Sequence, residues 1–534
     1  MRIKSILAIW CGIALLAPIS FGAGSSDVAD AVMNRDKPAL RTLLQKKADV
    51  NAPQADGATA LHWAVRWDDL EAADLLIRAG AGVKTANREG ATPLFLACEN
   101  GNAAMIEKLL QAGEDVNAVV LTHGETALMM AARSGKVYAV KVLLDHGAKV
   151  NTKENLDGTT ALMWAADENH PAVIRLLVEH GADVNLQAKI ITPANARRGN
   201  GGGGAAVAQA AAIAAAAEDY VPPPKVKGGL TALVMAARND NLDSVKALLE
   251  VGAGINKTSA DGTSPLLAAV QNGFYNTAAL LLEKGANPNI SNGKGWTPLY
   301  IAIKNRNLET GTIPLPNTVG ALDFIKLLID RGADPNLRIS ADTEVHSGFK
   351  AQWLKEAGAT PFFRAAVSGD LTVMKLLMAH GADPLLATSD HTTPLMGAAG
   401  IGWSDGFSHE YSEKETLEAM QLLLDKGADV NAVNDQGMTA LHGAAHKAAN
   451  QAILLLVDHG AKLDVRDKGK VGAFGNSNSG LTPLEWAQGV PIGASSGIYK
   501  ADTVALLTRL MNERGVPLPQ ATNRTVGGNV AVKK

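Results

Sequence analysis

One phrase recurs along this chain and limits its fold more than any other feature: Leu-Leu, a short polar step, then Gly-Ala. It stands as Leu75-Leu76-Ile77-Arg78-Ala79-Gly80-Ala81 and returns at Leu109–Gly113, Leu143–Ala148 and Leu176–Ala182. Gly80, Gly113, Gly147 and Gly181 lie 33, 34 and 34 residues apart, and 33 residues again separate Gly252 from Gly285 and Gly427 from Gly460. A fixed period of this size marks a small supersecondary unit copied along the chain. No single unit can cover its own apolar face, so the core must form between stacked neighbours.

Residues 157–185 show how one unit is built. Gly158 permits a tight turn, and Thr160 is placed to cap a short helix through Ala161, Leu162, Trp164 and Ala165. The polar step Asp167-Glu168-Asn169 ends that helix. A second helix follows Pro171, with Val173, Ile174, Leu176 and Leu177 on one face. Gly181 falls at the position just past a helix end, where a left-handed backbone is favoured. Small alanines in the first helix allow neighbouring units to approach closely.

These residues resemble the ankyrin repeat family. The family's Thr-Pro-Leu-His opening stands here as Thr59-Ala60-Leu61-His62, Thr92-Pro93-Leu94-Phe95, Thr297-Pro298-Leu299-Tyr300 and Thr439-Ala440-Leu441-His442. Its Gly-Ala-Asp-Val-Asn close stands at Gly181–Asn185 and Gly427–Asn431. The resemblance covers most of residues 27–512 and implies an all-α solenoid of about twelve helix-turn-helix units with loop insertions. It also implies that first helices and turns line a concave face that binds a protein. The family's variable positions fall on Arg66 and Trp67, Glu99 and Asn100, Arg133 and Ser134, Asp167 and Glu168, Arg238 and Asn239, Gln271 and Asn272, and on Arg88 and Glu89 in a turn. Trp63 and Trp164 lie beside the motif's buried leucine and read as core. His62 and His442 are expected to hydrogen-bond between units.

The rhythm is interrupted in places. Gly181 and Gly252 are 71 residues apart, an excess of 38 over one unit. The excess holds Gly201–Gly204, an alanine run from Ala205 to Ala217, and Tyr220-Val221-Pro222-Pro223-Pro224, a composition expected of a disordered surface loop. Shorter inserts fall near residues 308–319, 338–356, 401–415 and 466–479. Long loops on a rigid scaffold are often functional. The third carries Trp403, Phe407 and Tyr411 in a chain that is only 4% aromatic, so it is either a recognition surface or a small satellite core.

Residues 1–24 read as a secretory signal peptide. Arg2 and Lys4 precede an apolar run from Ile6 to Ala17, then Pro18 and the small residues Gly22, Ala23 and Gly24. The run is too short for an ordinary membrane-spanning helix, and Trp10 before Cys11 is too bulky for a lipoprotein signal. No later segment of the mature chain is a membrane-span candidate. Removing Arg2 and Lys4 takes the formal charge from −3 to −5, which leaves no basic footprint for nucleic acid. The other cysteine, Cys98, lies in Leu96-Ala97-Cys98 and reads as a packed thiol.

Catalytic and metal-binding patterns are weak. His409-Glu410 has no second ligand at metal spacing, Ser495-Ser496-Gly497 has no base partner, and the glycine tract lacks the Lys-Ser/Thr of a phosphate loop. Histidines 146, 180, 380 and 459 precede Gly-Ala and read as helix-terminal residues. Neither a cofactor nor a metal is expected. The sequence therefore reads as a signal peptide (1–24), N-terminal repeats (25–186), a Gly/Ala/Pro-rich insert (187–228), C-terminal repeats with loop inserts (229–512) and a disordered tail (513–534). The expected function is that of an exported, non-enzymatic scaffold of bacterial type, periplasmic or secreted. It is a monomer that binds a protein through the groove and the inserted loops. A secreted effector acting in another cell would use the same binding mode. An envelope enzyme or enzyme accessory would hold its site in the inserts.

Overall fold

The computed structural model describes residues 26–121, 123–192, 226–307, 317–342, 354–403, 412–469, 480–489 and 498–519. Among these residues the chain forms twenty-four helices in twelve pairs and one two-stranded ladder. The leader, most of the large insert, the tips of the smaller ones, the tail after 519, Phe407 and Tyr411 lie outside the described residues. The chain divides into two compact units after Asn155.

The first unit holds four pairs: α1 (Asp27–Met33) and α2 (Lys37–Gln45), α3 (Ala60–Arg66) and α4 (Leu70–Arg78), α5 (Pro93–Asn100) and α6 (Ala103–Gln111), α7 (Ala127–Ser134) and α8 (Val137–Asp145). First helices pack in one row, α1 on α3, α3 on α5 and α5 on α7. Second helices form another, with α4 against α6 and α6 against α8. The Thr of each opening motif ends an extended stretch and caps the first helix, as where Thr92 Oγ1 accepts from the Phe95 N–H at 3.2 Å. Helices α4, α6 and α8 then end on a glycine of the repeated phrase, whereas α2 ends on Lys47. Gly80, Gly113 and Gly147 have φ of 91°, 94° and 85°, a left-handed backbone that a side chain would strain.

The second unit continues the pattern with α9 (Ala161–Asp167), α10 (Pro171–Glu179), α11 (Ala232–Arg238), α12 (Leu242–Glu250), α13 (Pro265–Gln271), α14 (Tyr275–Glu283), α15 (Pro298–Arg306), α16 (Ala321–Asp330), α17 (Pro361–Ser368), α18 (Leu371–Ala379), α19 (Pro394–Ala399), α20 (Glu413–Asp425), α21 (Ala440–Lys447), α22 (Asn450–Asp458), α23 (Pro483–Ala487) and α24 (Ala501–Glu513). The large insert leaves a turn between α10 and α11. Its ends pair as antiparallel strands, β1 (Ile190–Ile191) and β2 (Lys227–Gly228), with Ile190 opposite Gly228. Helices α9 and α10 consequently pack on α11 and α12 as consecutive repeats. Trp486, Tyr300, Phe324, Phe362 and Phe363 are fully buried in this unit.

Asparagines stitch the turns together. Asn51 Nδ2 donates to the Gly80 carbonyl at 3.1 Å, and Asn51 Oδ1 accepts from the Gly82 N–H at 2.7 Å. The same two-bond clamp joins Asn289 to Gly332 and Asp334, Asn336 to Gly381 and Asp383, and Asn431 to Gly460 and Lys462. Each clamp satisfies backbone groups at the end of the next unit's second helix, which the helix itself leaves without partners.

Candidate partner-binding face

In each compact unit the first helices carry a column of residues at or just past their last turns. Counting from the capping Thr, or Ser264 in one unit, the eighth residue on is Trp67, Asn100, Ser134, Glu168, Asn239, Asn272 and Asn305. Most of these are committed to the stack. Asn100 Nδ2 donates to the Val65 carbonyl at 3.0 Å and to Asp68 Oδ1 at 3.1 Å. Ser134 Oγ donates to the Cys98 carbonyl at 3.2 Å, and Asn305 Nδ2 to the Val270 carbonyl at 2.8 Å. Asn239 Nδ2 donates to Asp167 Oδ1 at 2.6 Å. Asn100 and Asn239 remain exposed, and their amide N–H groups also help to close the preceding unit. Arg238 approaches the same Asp167 at 3.9 Å, so Asp167, Arg238 and Asn239 form one surface cluster.

Trp67 breaks this column. It follows the last residue of α3 and is 37% exposed. Its ring stacks with Trp63 at 6.0 Å between centroids and an interplanar angle of 27°. The Arg35 guanidinium lies over it at 4.3 Å. Trp63 Nε1 donates to Gln54 Oε1 at 2.6 Å, and Gln54 Nε2 donates to Asp30 Oδ1 at 2.6 Å. The pair is therefore locked from below before any ligand arrives. Arg35 and Gln54 carried no motif in the sequence, because they meet the Trp63–Trp67 pair only through the fold. Around this platform Arg66, Arg88, Glu89 and Glu99 are exposed, and Arg133 is half-buried.

Trp63 and Trp164 are not core residues as expected. Both are half-buried, and Trp164 Nε1 donates to Thr159 Oγ1 at 2.7 Å. An indole beside the buried leucine turns its edge toward the adjoining turn, so its N–H finds a polar partner there. Glu168 is exposed one position beyond Asp167, at the end of α9.

The aromatic insert begins within the described residues. Ile401 is fully buried, and a Cβ on Gly402 would lie 2.8 Å from the Leu354 Cβ, at the base of the preceding insert. Trp403 is half-buried and meets the His446 ring edge-on at 5.9 Å; His446 in turn meets Trp486 at 5.5 Å. Of the three aromatics of this insert, Trp403 is thus packed against the fold, and Phe407 and Tyr411 lie outside the described residues. Burial holds His442 and His446 neutral, lowering their pKa from 6.5 to about 4 and about 3.

The histidines of the opening motif join units, as expected. His62 Nδ1 accepts from the Thr59 N–H at 3.1 Å, and its Nε2 reaches the Ala91 carbonyl at 3.1 Å. His442 does the same with Thr439 and the Leu481 carbonyl. At the same motif position Tyr300 donates to Glu356 Oε1 at 3.4 Å, and Glu356 also pairs with Arg364 at 3.3 Å. Among the described residues no group of His, Cys, Asp and Glu is arranged to hold a metal, and no helix is long and apolar enough to cross a membrane.

Paired helices, glycine stops and asparagine clamps define a stacked helical repeat protein whose first-helix row carries its variable side chains. The sequence profile described as ankyrin repeats in three copies matches residues 28–120, 118–188, 217–292, 233–339 and 408–490, and the single-repeat profile matches 357–389. The chain belongs to the ankyrin repeat family. It is 37% identical over 116 residues to the mouse nuclear factor NF-kappa-B p105 subunit, covering 21% of this chain and 12% of that one. It is 42% identical over 82 residues to neurogenic locus notch homolog protein 1 of Xenopus tropicalis, covering 15% of this chain and 3% of that one. The chain thus spans only a small part of these relatives. The human ASB11 ankyrin repeat domain is 24% identical with a TM-score of 0.38, over 49% of this chain and 100% of that one. Ankyrin repeats generally mediate protein–protein interaction.

Proposed function

We propose that this chain is an exported, non-enzymatic scaffold that holds a protein partner on the first-helix face of its repeats. The observation that carries this reading is Trp67. Asn100, Ser134, Asn239 and Asn305 stand in that column and bond to the preceding unit, whereas here a large indole stays exposed on a locked platform. Exposed Trp and Arg are the residue types that most often dominate protein interfaces. The export part of the proposal rests on the basic, apolar and small-residue zones of residues 1–24. A periplasmic or secreted protein with this leader has its mature N-terminus near Gly22–Gly24, which N-terminal sequencing reads directly; an intact Met1 on a cytoplasmic protein rejects it. For the binding site, affinity purification of the full chain identifies partners, and the Trp67→Ala variant at equal loading must lose them. Partners retained in full by that variant move the site elsewhere.

A further inference from the structure

We propose that the Trp67 platform takes an acidic peptide segment that also carries an apolar or aromatic side chain. This deepens the binding reading above and rests on it. The contrast lies in how the first unit treats its cations. On the second helices they are neutralised internally: Lys37 pairs with Asp69 and Glu71 at 3.3 and 2.8 Å, Arg41 with Glu71 at 2.6 Å, and Arg78 and Lys108 with Asp74 at 2.9 and 2.7 Å. Arg35, Arg66 and Arg88 are exposed, and none has a carboxylate within 4.0 Å among the described residues.

Two nearby carboxylates are hydrogen-bonded within the fold and keep their charge. Asp56 Oδ1 accepts from the Ala58 N–H at 2.9 Å, and Asp68 Oδ1 from Asn100. Glu99 is exposed one unit further along, and Glu89 sits beside Arg88 in one turn, so the cationic end is centred on Arg35 and Arg66. Arg35 is held in place by the Trp67 ring, so its guanidinium edge is presented at little entropic cost. The Trp67 N–H has no acceptor among the described residues and is free to donate to a peptide carbonyl. Guanidinium forks match carboxylates, and the indole face matches an apolar side chain. A basic segment would instead meet uncompensated like charge.

The test uses the full chain on an array of synthetic peptides that place one Phe, Trp or Leu in acidic, neutral or basic surroundings. Acidic peptides with the apolar residue are expected to bind best, and to weaken as salt rises. Arg35→Glu with Arg66→Glu, and separately Trp67→Ala, should each reduce that binding about tenfold or more without lowering the melting temperature. Preference for basic or neutral peptides overturns the proposal, as does an acidic preference that those variants leave unchanged. Binding that responds to Asp167→Ala instead of Trp67→Ala would sink the acidic-segment proposal while keeping a first-helix binding face. Array binding by no peptide overturns the proposal, whereas partners still lost by Trp67→Ala would leave the binding reading standing.

Discussion

Trp67 and Trp486 are the same side chain in opposite circumstances. Trp67 is 37% exposed, whereas Trp486 is fully buried and donates its N–H to Asp467 Oδ2 at 2.6 Å. Trp67→Ala should weaken partner binding by roughly 1–3 kcal/mol, as interface anchors do, and leave the melting temperature near that of the parent. Trp486→Ala should cost roughly 3–5 kcal/mol of stability as a core truncation. Trp164→Ala should cost less than Trp486→Ala, because Trp164 keeps one edge in solvent. Titration calorimetry and melting curves on the three variants separate these outcomes; a Trp67→Ala protein that melts early but binds normally would make Trp67 a packing residue. His442 and His446 make a second prediction. Their folded pKa values, about 4 and about 3, lie below the 6.5 of the free side chain. The unfolded chain therefore takes up protons below pH 6.5 that the folded chain refuses, and stability falls as pH drops from about 6.5 toward 4. The loss levels off below the folded values. Urea midpoints at pH 7 and pH 5 should differ by on the order of 1–2 kcal/mol per histidine, and a difference unchanged in His446→Leu would exclude that residue as a source. The motif made His442 readable in the sequence. His446 was not, because only the aromatic insert and Trp486, far along the chain, bury it.

At the scale of the element, the asparagine clamp decides how firmly one turn holds the next. The repeated Asn was visible in the sequence, but its bonding was not, since each partner lies a full repeat further on. For the same reason the bonds of Asn100 and Asn239 were not legible: both side chains are exposed as their variable positions imply, but their partners lie in the preceding unit. The phrase also shows where the clamp fails. Gly381-Ala382-Asp383-Pro384-Leu385 aligns with Gly427-Ala428-Asp429-Val430-Asn431, so Leu385 takes the Asn position and is left 44% exposed. Asn289→Ala removes two bonds, at 2.8 Å each, and should destabilise by about 1–3 kcal/mol. Leu385→Asn would find the Gly427 carbonyl and the Asp429 N–H, and should stabilise by about 0.5–1.5 kcal/mol. Denaturant midpoints at constant m-value check both; a Leu385→Asn protein no more stable than its parent would mean that the turn geometry there does not admit the clamp.

At the scale of the molecule, a stack couples mainly through nearest neighbours, so a change in one turn stays local. The number of repeats was legible because most leave a glycine and a leucine pair behind; the first ends on Lys47-Ala48 instead. The break between compact units was not. The units divide after Asn155, where no shift in residue type occurs, and the Gly/Ala/Pro-rich insert leaves from within the second unit. Deleting residues 200–217 should accordingly change the melting temperature little, since β1 and β2 close the turn and α9–α10 keep their contacts with α11–α12. A collapse of folding on that deletion would show that the insert contributes to the core.

The β1–β2 ladder also makes this turn a port. Ile191 and Lys227 are paired neighbours across the ladder although 36 positions separate them in the chain. A guest domain whose own termini lie side by side can replace residues 193–225 without prying the flanking repeats apart. Such a fusion would carry a fluorescent or enzymatic reporter in the middle of the chain, leaving both ends and the Trp67 platform untouched.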